Sequence, residues 1–132
     1  MELVDIPLVK LSPEDTPRPW LRVIIINPHS NKEIKLLGLI DTGADECALH
    51  ARYAPLIGHR LEAGKTKEIN TGNGKTTAYS HTVKIKIADF VVQDTLIDFM
   101  PNLHLPLLGV KSFLSNFQLI IDYPRGVFSL KK

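Results

Sequence analysis

The chain alternates short apolar runs with clusters of turn-forming residues, a spacing that suits strands better than helices. Arg22-Val23-Ile24-Ile25-Ile26 is a β-branched run of the kind buried on both faces of a sheet. Asn27-Pro28-His29-Ser30-Asn31 is dense in turn formers, and residues 33–40 return as the second strand of a hairpin. From His81 to Ile87 the pattern alternates cleanly. Val83, Ile85 and Ile87 fall on one face, Thr82, Lys84 and Lys86 on the other. Residues 90–100 form another apolar stretch with a weaker period. Phe117, Leu119, Ile121 and Tyr123 share one face of a late strand, and Pro124-Arg125-Gly126 turns the chain into residues 127–130. A short helix fits residues 51–57, shortened by Pro55 and stopped by Gly58. The sum predicts a mostly-β chain of many short strands with one or two short helices, closed or partly closed into a small barrel. Residues 1–19 hold Pro7, Pro13, Pro17 and Pro19 and read as an extended arm ahead of a domain spanning 20–132.

Composition narrows the class without naming a function. With 132 residues the chain suits one domain with a modest core. Apolar content of 44% and charged content of 23% are those of an ordinary soluble protein. A net charge of +2 gives no argument for a nucleic-acid partner. Lys84 and Lys86 alternate with apolar residues and read as a solvated strand face. The lone Cys47 has no internal disulfide partner, sits in the apolar-leaning Cys47-Ala48-Leu49, and reads as a small buried thiol in a reducing compartment. The start Met1-Glu2-Leu3-Val4-Asp5 lacks the basic and apolar regions of a signal peptide, and no segment approaches the ~20 apolar residues that cross a bilayer. A cytoplasmic protein without a membrane partner is the simplest expectation.

Asp41-Thr42-Gly43 carries the chemistry. It follows the apolar run Leu36-Leu37-Gly38-Leu39-Ile40 and continues as Ala44-Asp45. An ionised carboxylate at the end of a buried strand is costly unless it is paired or used. In a surface loop the same residues would be an ordinary turn. Metal chemistry finds no support in the pattern. His29, His50, His59, His81 and His104 are scattered without an i, i+4 pair, and there is no cysteine pair. No Gly-x-Ser-x-Gly elbow is present for a serine nucleophile.

The segment Leu39-Ile40-Asp41-Thr42-Gly43-Ala44-Asp45 resembles the active-site loop of the retropepsins, the retroviral-type aspartic proteases, and of their bacterial relatives. That family also carries two apolar residues followed by Gly and a short helix. Leu107-Leu108-Gly109 ahead of Val110-Lys111-Ser112-Phe113-Leu114 is similar. Between the two motifs the family places a β-hairpin flap, and residues 69–75, with Thr71-Gly72-Asn73-Gly74 at their centre, are similar to its tip. The likeness runs from about Trp20 to Leu130.

The resemblance implies a retropepsin-like acid-protease lobe and an endopeptidase without cofactor. Asp41 would be catalytic. Thr42, Gly43, Ala44, Leu107, Leu108 and Gly109 would support the catalytic loop. Gly43, Asp45, Thr71, Gly72, Asn73 and Gly74 would bind a peptide or protein substrate. None of Asp5, Asp15, Asp45, Asp89, Asp94, Asp98 and Asp122 is followed by Thr-Gly or Ser-Gly. A pair of such aspartates therefore needs a second copy of the chain, and a homodimer is expected. Two departures stand out. Retroviral members follow the second motif with Arg-Asn, whose Arg pairs with the residue equivalent to Asp45, whereas this chain has Val110-Lys111. It also continues through residues 118–123 and 127–130, where retroviral members end with one strand.

Two other readings remain open. A chain of this fold can dimerise and bind peptides without cleaving them, although such relatives usually lose the Asp or the Gly. Gly38-Leu39-Ile40-Asp41 with Glu46 resembles a dUTP nucleotidohydrolase motif. That motif needs a Tyr soon after the Asp and a Gly-rich tail. Here the next Tyr is Tyr53, and residues 125–132 hold one glycine.

Overall fold

The computed structural model describes residues 1–72 and 74–132. Ten strands run in chain order: β1 (Glu2–Pro7), β2 (Trp20–Ile26), β3 (Glu33–Ile40), β4 (Ala48–His50), β5 (Lys65–Thr71), β6 (Gly74–Ile87), β7 (Phe90–Met100), β8 (Leu107–Leu108), β9 (Gln118–Asp122) and β10 (Val127–Lys131). One short helix, α1 (Tyr53–Leu56), and 3-10 turns at Leu61–Ala63 and Leu114–Asn116 complete the elements. The described chain is mostly β.

Strands β2, β3, β8, β4, β7 and β6 lie side by side in that order, and β6 pairs back onto β2. The sheet thus closes into a ring, matching the small closed barrel expected from the strand pattern. The return contact is antiparallel, Ile24 to Lys86, Ile25 to Ile85 and Ile26 to Lys84. Closure removes the open edges that a flat sheet would present. Inside the ring lie Val23, Ile25, Val83, Ile85, Ile87, Ile97 and Phe99, joined by Leu49, Leu108 and Phe113. The alternating face of residues 83–87 is the buried one. Strand β2 differs from expectation. Val23 and Ile25 are buried, but Ile24 and Ile26 are only half-covered, so one face alone belongs to the core. The outer face stays partly open because no layer covers this part of the ring.

Beyond the ring, β5 continues the sheet past β6 as an antiparallel hairpin, in register from Lys65 opposite Ser80 to Thr71 opposite Gly74. A separate antiparallel sheet is ordered β1-β10-β9. It brings Leu3 and Ile6 from the start of the chain against Phe128 and Leu130, which are fully buried.

Candidate active site

The loop after β3 owes its position to a crossing of two distant segments. The end of β3 runs parallel to β8, with Leu39 opposite Leu107 and Ile40 opposite Leu108. Asp41 N–H donates to the Leu108 carbonyl (3.0 Å), and beyond it Val110 N–H donates to Ala44 O (2.8 Å) and Lys111 N–H to Asp45 O (2.6 Å). The crossing is possible because residue 109 has no side chain. A Cβ there would stand 2.4 Å from Glu46 O and 2.9 Å from Ala44 O, both rigid backbone atoms. Gly38 plays a lesser part, since a Cβ on it would press on the Leu108 side chain at 2.8 Å.

Asp41 itself is half-buried at the loop's start. Its Oδ1 accepts the Gly43 N–H at 2.9 Å, an Asx turn that aims the carboxylate, and Ala44 N–H donates to Asp41 O at 3.2 Å. Thr42 and Gly43 are exposed and Ala44 is half-buried. Asp45 is exposed, and its carboxylate has no ion pair or hydrogen-bond partner among the described residues. Leu107 is half-buried, while Leu108 and Gly109 are buried beneath the loop. Gly72 and Gly74 stand at the end of the β5–β6 hairpin, with Thr71 closing β5. Asn73 lies outside the described residues. The structure thus joins the two sequence motifs directly and keeps the hairpin tip a separate element.

Behind the loop sits a polar knot that the sequence did not announce. Ser112 Oγ accepts the Cys47 N–H (3.0 Å) and lies 2.6 Å from both Glu46 Oε2 and Leu96 O. Cys47 is buried and accepts the Gly109 N–H at its Sγ (3.3 Å). Burial pushes its thiol up to about 12, against smaller opposing hydrogen bonds from Gly109 and Ser112, so it remains a neutral packing group.

Two clefts flank the loop. One, of ≈ 360 Å³, lies beside Asp41 and Thr42 and reaches Arg18, Pro19, Ile121 and Tyr123. The other, of ≈ 550 Å³, runs from Gly43, Ala44 and Asp45 to the base of the β5–β6 hairpin. Its far end holds Asp98, which is 4% exposed. Asp98 Oδ1 accepts the Ser80 hydroxyl (2.9 Å), and Oδ2 pairs with Lys67 Nζ (3.0 Å). The sequence offered one signal for this residue: an acid inside the apolar run Leu96-Ile97-Asp98-Phe99-Met100.

A family model described as "gag-polyprotein putative aspartyl protease" matches residues 26–116, more than half of the chain. The chain belongs to this aspartyl protease family. The matched span contains both the Asp41 loop and the Leu107-Leu108-Gly109 crossing. Among solved structures, a retropepsin-like aspartic protease from Rickettsia conorii is similar at TM-score 0.71 and 22% identity, covering 98% of this chain and 97% of that one. The EIAV protease, in complex with the inhibitor HBY-793, is similar at TM-score 0.54 and 23% identity, covering 76% of this chain and 88% of that one. At these identities the likeness shows the fold, which is retropepsin-like. No curated protein matches the chain. Among the described residues no helix is long and apolar enough to cross a membrane.

Proposed function

We propose that this member of the aspartyl protease family is an endopeptidase, hydrolysing peptide bonds with a water held between the Asp41 carboxylates of two identical chains. Peptide hydrolysis without a metal or a covalent intermediate needs a base to activate water and an acid to protonate the carbonyl. Two carboxylates a few ångströms apart supply both, because repulsion between like charges keeps one proton shared between them. The observation that carries the reading is the aim of Asp41. Its Oδ1 is fixed by the Gly43 N–H, while Oδ2 has no partner among the described residues. A half-exposed carboxylate held rigid on one oxygen and open on the other suits a proton-sharing role.

The remaining roles follow. Thr42, exposed beside Asp41, links the two loops across the dimer axis through its hydroxyl. Gly43 admits the substrate backbone and offers its carbonyl as acceptor. Ala44, Leu107, Leu108 and Gly109 hold the loop, and Asp45 meets the substrate at its flank. Thr71, Gly72, Asn73 and Gly74 close over the bound peptide and exclude water.

The test incubates the protein with a diverse peptide library, with and without pepstatin, beside Asp41→Asn. Asparagine keeps the shape but cannot share the proton, so turnover falls about 10²- to 10⁴-fold while folding and dimerisation persist. Pepstatin blocks the wild type. Wild-type activity also falls faster than linearly on dilution, as a site built from two chains requires. Asp41→Asn turnover near that of the wild type would overturn the protease and favour a peptide-binding module.

A further inference from the structure

The cleft between the Asp41 loop and the hairpin has a chemistry of its own. Its floor is apolar: Ala48, Ala78 and Met100 are buried together, with Ile69, Leu103 and Leu107 packed against them. The trough ends at a buried carboxylate, Asp98, on β7. Asp45, Glu46 and Glu68 add three more acids to the lining, and among the described residues Lys67 is its one cation. Glu68 is partly offset by the exposed Lys75 at 3.7 Å and Asp98 by Lys67, whereas Asp45 and Glu46 have no cationic partner among the described residues.

A hydrocarbon trough leading to a buried anion matches a side chain with a long aliphatic stem and a cationic head. The molecule contains an example of the fit. Lys67 reaches from β5 across β6 and sets its ammonium 3.0 Å from Asp98. The two partners are unequal, however. The Asp98 side chain is 6% exposed and held by Ser80, whereas the Lys67 side chain is 42% exposed. The half-exposed Lys67 head can give way to another cation, but not to water alone, because the buried Asp98 must keep a partner. Asp98 cannot leave, and without a cation it would be a buried charge with one hydroxyl donor.

We infer that Asp98 is the specificity determinant of this cleft and that it selects a lysine or arginine side chain of the substrate, which takes the place held by Lys67 in the free protein. The inference rests on the proposed peptidase reading for its substrate, while the cleft itself lies within one chain. Asp98 acts on substrate choice and takes no part in the proton transfers assigned to Asp41.

The experiment maps cleavage sites in the peptide library for wild type, Asp98→Asn and Lys67→Met. It then compares matched peptides carrying Lys, Arg, Met or Glu at the one position that the sites define. Wild-type sites should share a basic residue at a fixed position. Asp98→Asn keeps the shape and the Ser80 contact, and should lower kcat/KM for Lys and Arg peptides roughly 10- to 100-fold while leaving Met peptides within about threefold. Lys67→Met removes the internal competitor and should raise the basic preference. Equilibrium binding is measured in parallel by anisotropy, using fluorescein-labelled Ala/Leu peptides carrying one Lys, Met or Glu, on Asp41→Asn with and without Asp98→Asn. Tighter binding of the Lys peptide that vanishes with Asp98→Asn supports the inference, even if the wild type cleaves nothing and the peptidase reading fails. Sites without a fixed basic position, a loss equal for Lys and Met peptides, or equal binding of the two overturns it.

Discussion

The loop at Asp41–Glu46 and the tip of the β5–β6 hairpin are both short, polar and glycine-bearing, yet they are built on opposite terms. The loop is threaded by a second segment, and at Gly109 an added Cβ would meet backbone at 2.4 Å. At the tip, an added Cβ on Gly72 or Gly74 would meet nothing within 4 Å. One region has its geometry imposed from outside by packing. In the other, Gly72 and Gly74 face open space and strand pairing carries the register up to Thr71 and Gly74. A site that must aim a carboxylate needs the first kind of construction, and an element that must move over a substrate needs the second.

The largest break of this contrast is Gly109→Ala. The obstructing atoms are backbone and cannot rotate away, so stability should fall by about 3 kcal/mol or more, with loss of the proposed peptidase activity. Urea unfolding checks it, and a midpoint within error of the wild type would show that the crossing is looser than described. Ser112→Ala should cost less, ~1–3 kcal/mol, because it leaves the buried Cys47 N–H without its acceptor. Its denaturation midpoint, compared with that of Ser115→Ala on the exposed side of the same turn, isolates the effect.

A smaller effect comes from His59, on the ring wall away from the loop. His59 stacks on His81 with centroids 4.5 Å apart, and burial, aided by repulsion from His81 and His29, holds its imidazole below the usual histidine range despite the Thr82 carbonyl. The unfolded chain takes that proton near pH 6.5, whereas the native state resists it. Stability is therefore complete above about pH 6.5 and declines as the pH falls toward the lowered native value. Urea midpoints at about pH 7.5 and about pH 5.5 should separate for the wild type and separate less for His59→Gln. Equal separations would assign the pH response elsewhere. Smallest of all, Gly72→Ala should leave stability within ~0.5 kcal/mol, since its Cβ enters open space. A several-fold fall in kcat/KM at unchanged stability would mark the tip as part of the substrate site, and no change in either would separate it from catalysis.

Much of this architecture was legible because local periodicity records which face is buried. The alternation of Val83, Ile85 and Ile87, the turn at residues 27–31 and the apolar pairs at Leu39-Ile40 and Leu107-Leu108 each report a core-facing strand. Where both faces are occupied the code fails. At the end of β7, Ile97 and Phe99 enter the main core while Asp98 and Met100 face the cleft, so no period survives. Strand β6 extends from Gly74, far ahead of the alternation at His81, because its first half leaves the ring as a hairpin and packs only Ala78 into a small second cluster. Asp98, like Asp41, is a carboxylate flanked in sequence by apolar residues that the fold buries. Ser112 left no trace, since a serine's partners are set by a fold crossing and not by its neighbours in sequence.

The pairing of β1 with β10 bears on how the chain is made. Glu2 meets Lys131 and Pro7 meets Val127, contacts that close a loop of more than a hundred residues. Such distant pairs slow folding, because the entropy of closing so long a loop is lost before the contacts return energy. Until that pairing forms, Leu3 and Ile6 of β1 lack the cover that Phe128 and Leu130 give them. The ring has local hairpins to close on, and β9 has β10 close by in sequence, whereas β1 docks through a pairing that spans nearly the length of the chain.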